Sequence, residues 1–170
     1  MTKQYVIFLD IDGVFTSARA HLGLSKTEGE MWAHFDPVAL GFLNTLDAKH
    51  NIDWVLMSTW VLGLDKMSAT TYHWVCSSFR NAGFHGYFPF PNWKTEDPGR
   101  GENRAHMVKK YLAAERLTYD DFIVIDDNNY GFNDVLGVKR FINTDPKDGM
   151  LTKHMMNMLS LTGNWEKKDA

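Results

Sequence analysis

The chain has 170 residues, 44% hydrophobic and 14% aromatic, which fits one soluble globular domain and excludes a disordered protein. Its net charge of -3 gives no bulk basic surface for nucleic acid, although a local basic groove stays open. The single cysteine, Cys76, excludes an internal disulfide and a multi-cysteine metal cluster. No signal-peptide pattern is present, and the apolar runs fall far short of the ~20 residues that span a bilayer. The expectation is therefore one domain over residues 1–170, cytoplasmic and unattached to membrane.

Residues 5–10 form a short continuous apolar run, the pattern of a strand buried on both faces. Residues 15–33 mix Gly, Ser, Thr and charged residues and are expected to form a surface excursion or a flap over a crevice. Asp36 before Pro37 is an N-cap followed by proline at the first helical position, with an apolar face to about residue 49. Residues 52–57 read as a second strand, and a helix is expected over 65–80, stopped by Asn81 and Gly83. The aromatic, proline-rich segment 84–93 predicts a short strand and a loop. Helical spacing resumes over 102–115, followed by a buried strand at 122–125 and a weaker one at 138–142. A last helix is expected over 148–161, with Met150, Met155, Met156 and Met158 beside Leu151 and Leu159 as its packing face. Strands alternating with helices predict an α/β fold, a Rossmann-like open parallel sheet with helices on both faces.

The strands deliver polar groups to one kind of position. The first runs into Asp10-Ile11-Asp12-Gly13, the second into Ser58-Thr59-Trp60, and the third into Asp126-Asp127. Alternation in an extended segment would put Asp10 and Asp12 on the same side, with Gly13 allowing a sharp turn and a close approach to a ligand. Asp-x-Asp-Gly alone also occurs in calcium loops, but the ligands of such a loop do not continue through residues 14–21. The histidines lack a spacing such as His-x₃-His and read as surface or core residues. Tryptophans 32, 60, 74 and 93 read mostly as core. Trp60 and Trp93 border these motifs and are candidates to stack on a base.

In this order the motifs resemble those of the haloacid dehalogenase superfamily of phosphohydrolases, over nearly the whole chain. Asp10-Ile11-Asp12-Gly13-Val14 is similar to its first motif, Val55-Leu56-Met57-Ser58 to its second, and Ile123-Val124-Ile125-Asp126-Asp127 to its fourth. The third motif is a Lys or Arg near the start of the preceding helix. Arg104 is the first choice, Lys94 and Arg100 are candidates just upstream, and Lys109 lies deeper in the helix. The chain resembles in particular small, nearly capless members found in phages and RNA-repair proteins.

Phosphoryl transfer needs an anionic nucleophile, neutralisation of phosphate charge and a proton donor for the leaving group. The resemblance implies Asp10 as nucleophile and Asp12 as general acid and base. It implies Mg²⁺ on Asp10, the Asp12 carbonyl, Asp126 and Asp127. Ser58, Thr59, the amides around Gly13, and Arg104, Lys94 or Arg100 are the expected phosphate-holding groups, with Trp60 beside them. The expected substrate is a phosphorylated nucleotide or the 3′-phosphorylated end of a nucleic acid. The alternatives are a sugar-phosphate phosphatase and a non-catalytic module that holds a phosphorylated ligand.

Overall fold

The alternation inside the central strand sets the architecture. In the computed structural model, which describes residues 4–23, 35–96, 103–114, 121–137 and 140–161, strand β1 (Gln4–Leu9) buries Tyr5, Ile7 and Leu9 in one core. Val6 and Phe8 enter a second core on the opposite face. A strand apolar on both faces has to be covered on both, which places it in the middle of a parallel sheet. Strands β2 (Asn51–Leu56) and β3 (Asp121–Asp126) flank it in parallel, and β4 (Phe141–Asn143) adds outside β3, giving the order β2-β1-β3-β4.

Register pairs Leu9 with both Leu56 and Ile125. The three strands therefore end level, and the residues just beyond them share one edge. The chain passes from β1 out to β2 and then back across β1 to β3, a reversal that leaves a crevice at the carboxyl ends of the strands.

Helices α2 (Pro37–Lys49), α4 (Ala69–Asn81) and α7 (Thr152–Leu161) cover the first face with Leu43, Phe79 and Met158. Helices α5 (Arg104–Ala114) and α6 (Phe132–Leu136) cover the second with Val108 and Phe132. Two short helices, α1 (Ala18–Gly23) and α3 (Thr59–Leu62), come after the ends of β1 and β2. The α/β sheet with helices on both faces is the architecture that the sequence predicts. Among the described residues, no helix is long and apolar enough to cross a membrane.

Local chemistry explains where boundaries agree and where they move. Asp36 caps α2 as expected, its carboxylate accepting the Val38 N–H at 2.8 Å, and it also pairs with Arg19. The helix expected from residue 65 starts at Ala69 behind Ser68, whose hydroxyl accepts the Thr71 N–H at 3.2 Å. Asp65 caps a separate turn, accepting the Met67 N–H at 2.9 Å. The last helix starts at Thr152 and not at 148, because Gly149 at φ +66° closes a turn on Asp145. His154 Nδ1 then accepts the Leu151 N–H at 3.0 Å. Met150 and Met158 are buried as expected, whereas Met156 is exposed.

No strand forms over 84–93, where Pro89 and Pro91 lack the N–H a ladder needs. That segment still runs beside β2, with the Trp54 N–H donating to the Tyr87 carbonyl and the Leu56 N–H to that of Trp93. The weak strand expected at 138–142 is observed over Phe141–Asn143, and residues 138–139 lie outside the described residues. Of the segment expected as a surface excursion or flap, residues 18–23 are α1, tied to the 145–149 turn through the Pro146 and Lys147 carbonyls, and 24–33 lie outside the described residues.

Phe79 stands at the centre of the first core, with ring centroids 5.1 Å from Phe35 and Phe88 and 5.5 Å from Phe15. Phe79→Ala is expected to lower the unfolding free energy by about 3–5 kcal/mol, measured by urea denaturation.

Candidate active site

Asp10 directly succeeds β1, and its N–H still pairs with the Ile125 carbonyl at 3.0 Å, so the strand's own ladder fixes its backbone. Its Oδ1 accepts the Ile11 N–H at 2.8 Å. Asp126 closes β3, and its Oδ1 accepts the Asn128 N–H at 2.9 Å. Level strand ends bring the two carboxylates together, 3% and 0% exposed. Arg104, the first residue of α5, joins them: Nη1 donates to Asp10 Oδ2 at 2.8 Å and to Asp126 Oδ2 at 2.5 Å. The Tyr130 ring covers the guanidinium, with Cζ 4.5 Å from the ring centroid.

Asp127 completes an acidic cluster, in which ligand oxygens of Asp10, Asp126 and Asp127 all lie within 4.8 Å of one another. Gly13 makes that approach possible. At φ +67°, a Cβ there would sit 2.4 Å from the Asp127 side chain. Three carboxylates without histidine or cysteine form a donor set suited to a hard cation such as Mg²⁺.

The charges are unbalanced without a cation. Burial and then the neighbouring Asp10 push the Asp126 carboxyl up to about 7. The same two causes, in the same order, raise Asp127. Burial acts to lower the Arg104 guanidinium, but the Asp10 and Asp126 carboxylates outweigh it and hold it above its ordinary value.

Asp12 stands apart from this cluster. The chain does not continue extended past Asp10, because the Ile11 carbonyl accepts from Val14, Phe15 and Thr16 and turns it. The expectation that both acids point to one side in an extended segment is thereby corrected. Asp12 is exposed, its Oδ1 accepting from Thr16 Oγ1 at 3.0 Å and its Oδ2 from Trp60 Nε1 at 2.8 Å.

Ser58 is fully buried at the end of β2, its Oγ facing the Trp60 N–H at 3.4 Å, and Thr59 beside it is exposed. Lys94 is 4% exposed, bridges to Leu56, and donates to the Leu62 carbonyl at 3.2 Å. Arg104 is a candidate cation in contact with Asp10 and Asp126, Lys94 lies at the end of β2, and Arg100 is outside the described residues. Trp93 is buried in the core, contrary to a stacking part, and Trp74 is 48% exposed, contrary to a core one. Trp32 lies outside the described residues.

Sequence patterns do not single out Tyr130 or Thr16. Thr16 lies four residues past Asp12 in a turn that an extended reading hides. Tyr130 comes soon after the acidic pair, but nothing in its spacing shows that it faces Arg104.

A family model described as the HAD domain in Swiss Army Knife RNA repair proteins matches residues 6–155, which include all of the residues at this edge. A search of curated proteins finds no match.

Because the folded Asp126 carboxyl binds its proton more tightly than an unfolded one, the folded state is favoured at low pH. In chelator, unfolding free energy is expected to fall as pH rises from about 4 to about 7, read by urea denaturation. Asp126→Asn should remove most of that fall and leave the smaller part due to Asp127.

Proposed function

The chain belongs to the family of HAD domains found in Swiss Army Knife RNA repair proteins, and from that membership and the geometry of the strand ends we propose that it is a Mg²⁺-dependent phosphomonoesterase. The reaction proceeds through an aspartyl-phosphate on Asp10, and the substrate is a nucleotide or the phosphorylated 3′ end of a nucleic acid. The observation that carries this reading is the buried pair Asp10 and Asp126 joined by Arg104, with Asp12 held outside it.

Asp10 attacks phosphorus while the bond to the leaving oxygen breaks, and Asp12, protonated, gives its proton to that oxygen. An alcohol leaves, and Asp12 becomes a carboxylate. Asp12 then takes a proton from water, whose oxygen attacks phosphorus and breaks the bond to Asp10. Inorganic phosphate and the Asp10 carboxylate result, and Asp12 is protonated again. Mg²⁺ held by Asp10, Asp126, Asp127 and the Asp12 carbonyl would offset the repulsion between the anionic nucleophile and the phosphate.

The contacts to Asp10 fix its plane: Arg104 lies on one oxygen and the Ile11 N–H on the other. Arg104 also presents positive charge to the phosphate, and the Ser58 hydroxyl donates to a non-bridging oxygen from its buried place at the end of β2. Lys94, Thr59, Arg100 and the backbone at Gly13 are further phosphate-holding groups of the proposal. Preorganised contacts of this kind are worth roughly 10²–10³ in rate each.

The test is hydrolysis of nucleotides, sugar phosphates and 3′- or 5′-phosphorylated oligonucleotides with Mg²⁺ present. The expected result is a preference for a nucleotide or a 3′-phosphorylated end, with Asp10→Asn folded but inactive. Preference for sugar phosphates would overturn the substrate class, and turnover by Asp10→Asn would overturn the mechanism. Gly13→Ala, which drives a Cβ into Asp127, is expected to weaken Mg²⁺ binding by about tenfold or more, measured by titration calorimetry.

A further inference from the structure

The proposed reaction leaves one contact at its centre without a part. Asp12 is exposed and lies past the end of the sheet, so the strand ladder does not fix its side chain. Two side-chain donors do: Thr16 on Oδ1 and the Trp60 indole on Oδ2. The Trp60 donor has a rigid base. Its ring packs against the core covered by α2 and α4, and its main-chain N–H faces Ser58. An indole N–H donates and cannot accept. It therefore fixes the plane of a carboxylate without competing for the proton that the carboxyl group carries.

We propose that Trp60 is a positioning residue that aims Asp12 at the leaving oxygen. The inference rests on the phosphatase reading, with Asp12 as acid and base. Its consequence is selective. A poor leaving group, such as a sugar hydroxyl, departs only as its oxygen gains the proton from Asp12, so a misaimed Asp12 slows it. An activated aryl oxide departs without full protonation and depends less on that aim. Trp60→Phe keeps a flat aromatic ring on the core and removes the N–H together with part of the indole's bulk, and the comparison of the two esters separates the lost hydrogen bond from the lost packing.

The experiment compares wild type, Asp12→Asn and Trp60→Phe with Mg²⁺ on p-nitrophenyl phosphate and on the alkyl phosphomonoester that wild type hydrolyses fastest. Trp60→Phe is expected to lose about tenfold or more in kcat on the alkyl ester and only a few-fold on the aryl ester, with KM for the alkyl ester little changed. Equal losses on both esters, or none, overturn the inference while leaving the phosphatase reading in place. Wild type hydrolysing no phosphomonoester overturns both. A second measurement stands if Trp60→Phe does not fold. The Trp60 indole N–H resonance of the full chain is expected to shift on Asp12→Asn, and an unmoved resonance overturns the inference.

Discussion

Burying Asp10 and Asp126 side by side is the constraint around which this protein is built. Like charges in a poorly solvated site repel strongly, and burial first and then the neighbouring Asp10 push the Asp126 carboxyl up to about 7. One guanidinium nitrogen of Arg104 answers both acids, with the Tyr130 ring over its face. Asp127 adds a third carboxylate within ligand distance. The arrangement keeps an excess of negative charge at the end of the sheet, a state that a bound cation relieves. The sheet itself makes it possible, because Leu9 is in register with Ile125 and the two strands release their acids at the same height.

The acids of Asp10-Ile11-Asp12 differ in surroundings because the chain turns between them. Asp10 is still in the ladder, buried and charge-paired, whereas Asp12 is past the Ile11 turn, exposed and held at its edges by Thr16 and Trp60. A buried, ion-paired carboxylate suits a nucleophile whose plane must not move. An exposed one that gains and loses a proton suits the acid and base of the proposed reaction. Thus two residues apart in sequence acquire two chemical environments from one turn, and Gly13 in that turn gives Asp127 its room.

The strands are legible in the sequence because each is apolar on both faces, a pattern that survives without knowledge of neighbours. Asp36-Pro37 likewise marks α2 through chemistry confined to adjacent residues. The failures lie where tertiary context decides. Residues 84–93 have strand-like aromatics, but the two prolines leave them as a loop laid along β2. Asp148 suggests a helix start that the left-handed Gly149 forbids. At the site, the motifs single out Asp10, Asp126 and Asp127 and put Arg104 first among several cations, and the fold brings these four together across as many as 117 positions of chain. The contacts of Tyr130 with Arg104 and of Trp60 with Asp12 depend on how loops return to the sheet edge, and no local pattern encodes them.

The proposed reaction stands or falls with Asp10 as the nucleophile of this edge. The most direct measurement is acid quenching during turnover of a phosphomonoester with Mg²⁺, then mass-spectrometric mapping of the protein. Phosphate is expected on the peptide containing Asp10, localised to that side chain and absent without Mg²⁺. Steady turnover with the protein never phosphorylated, or phosphate found on another residue, would contradict it.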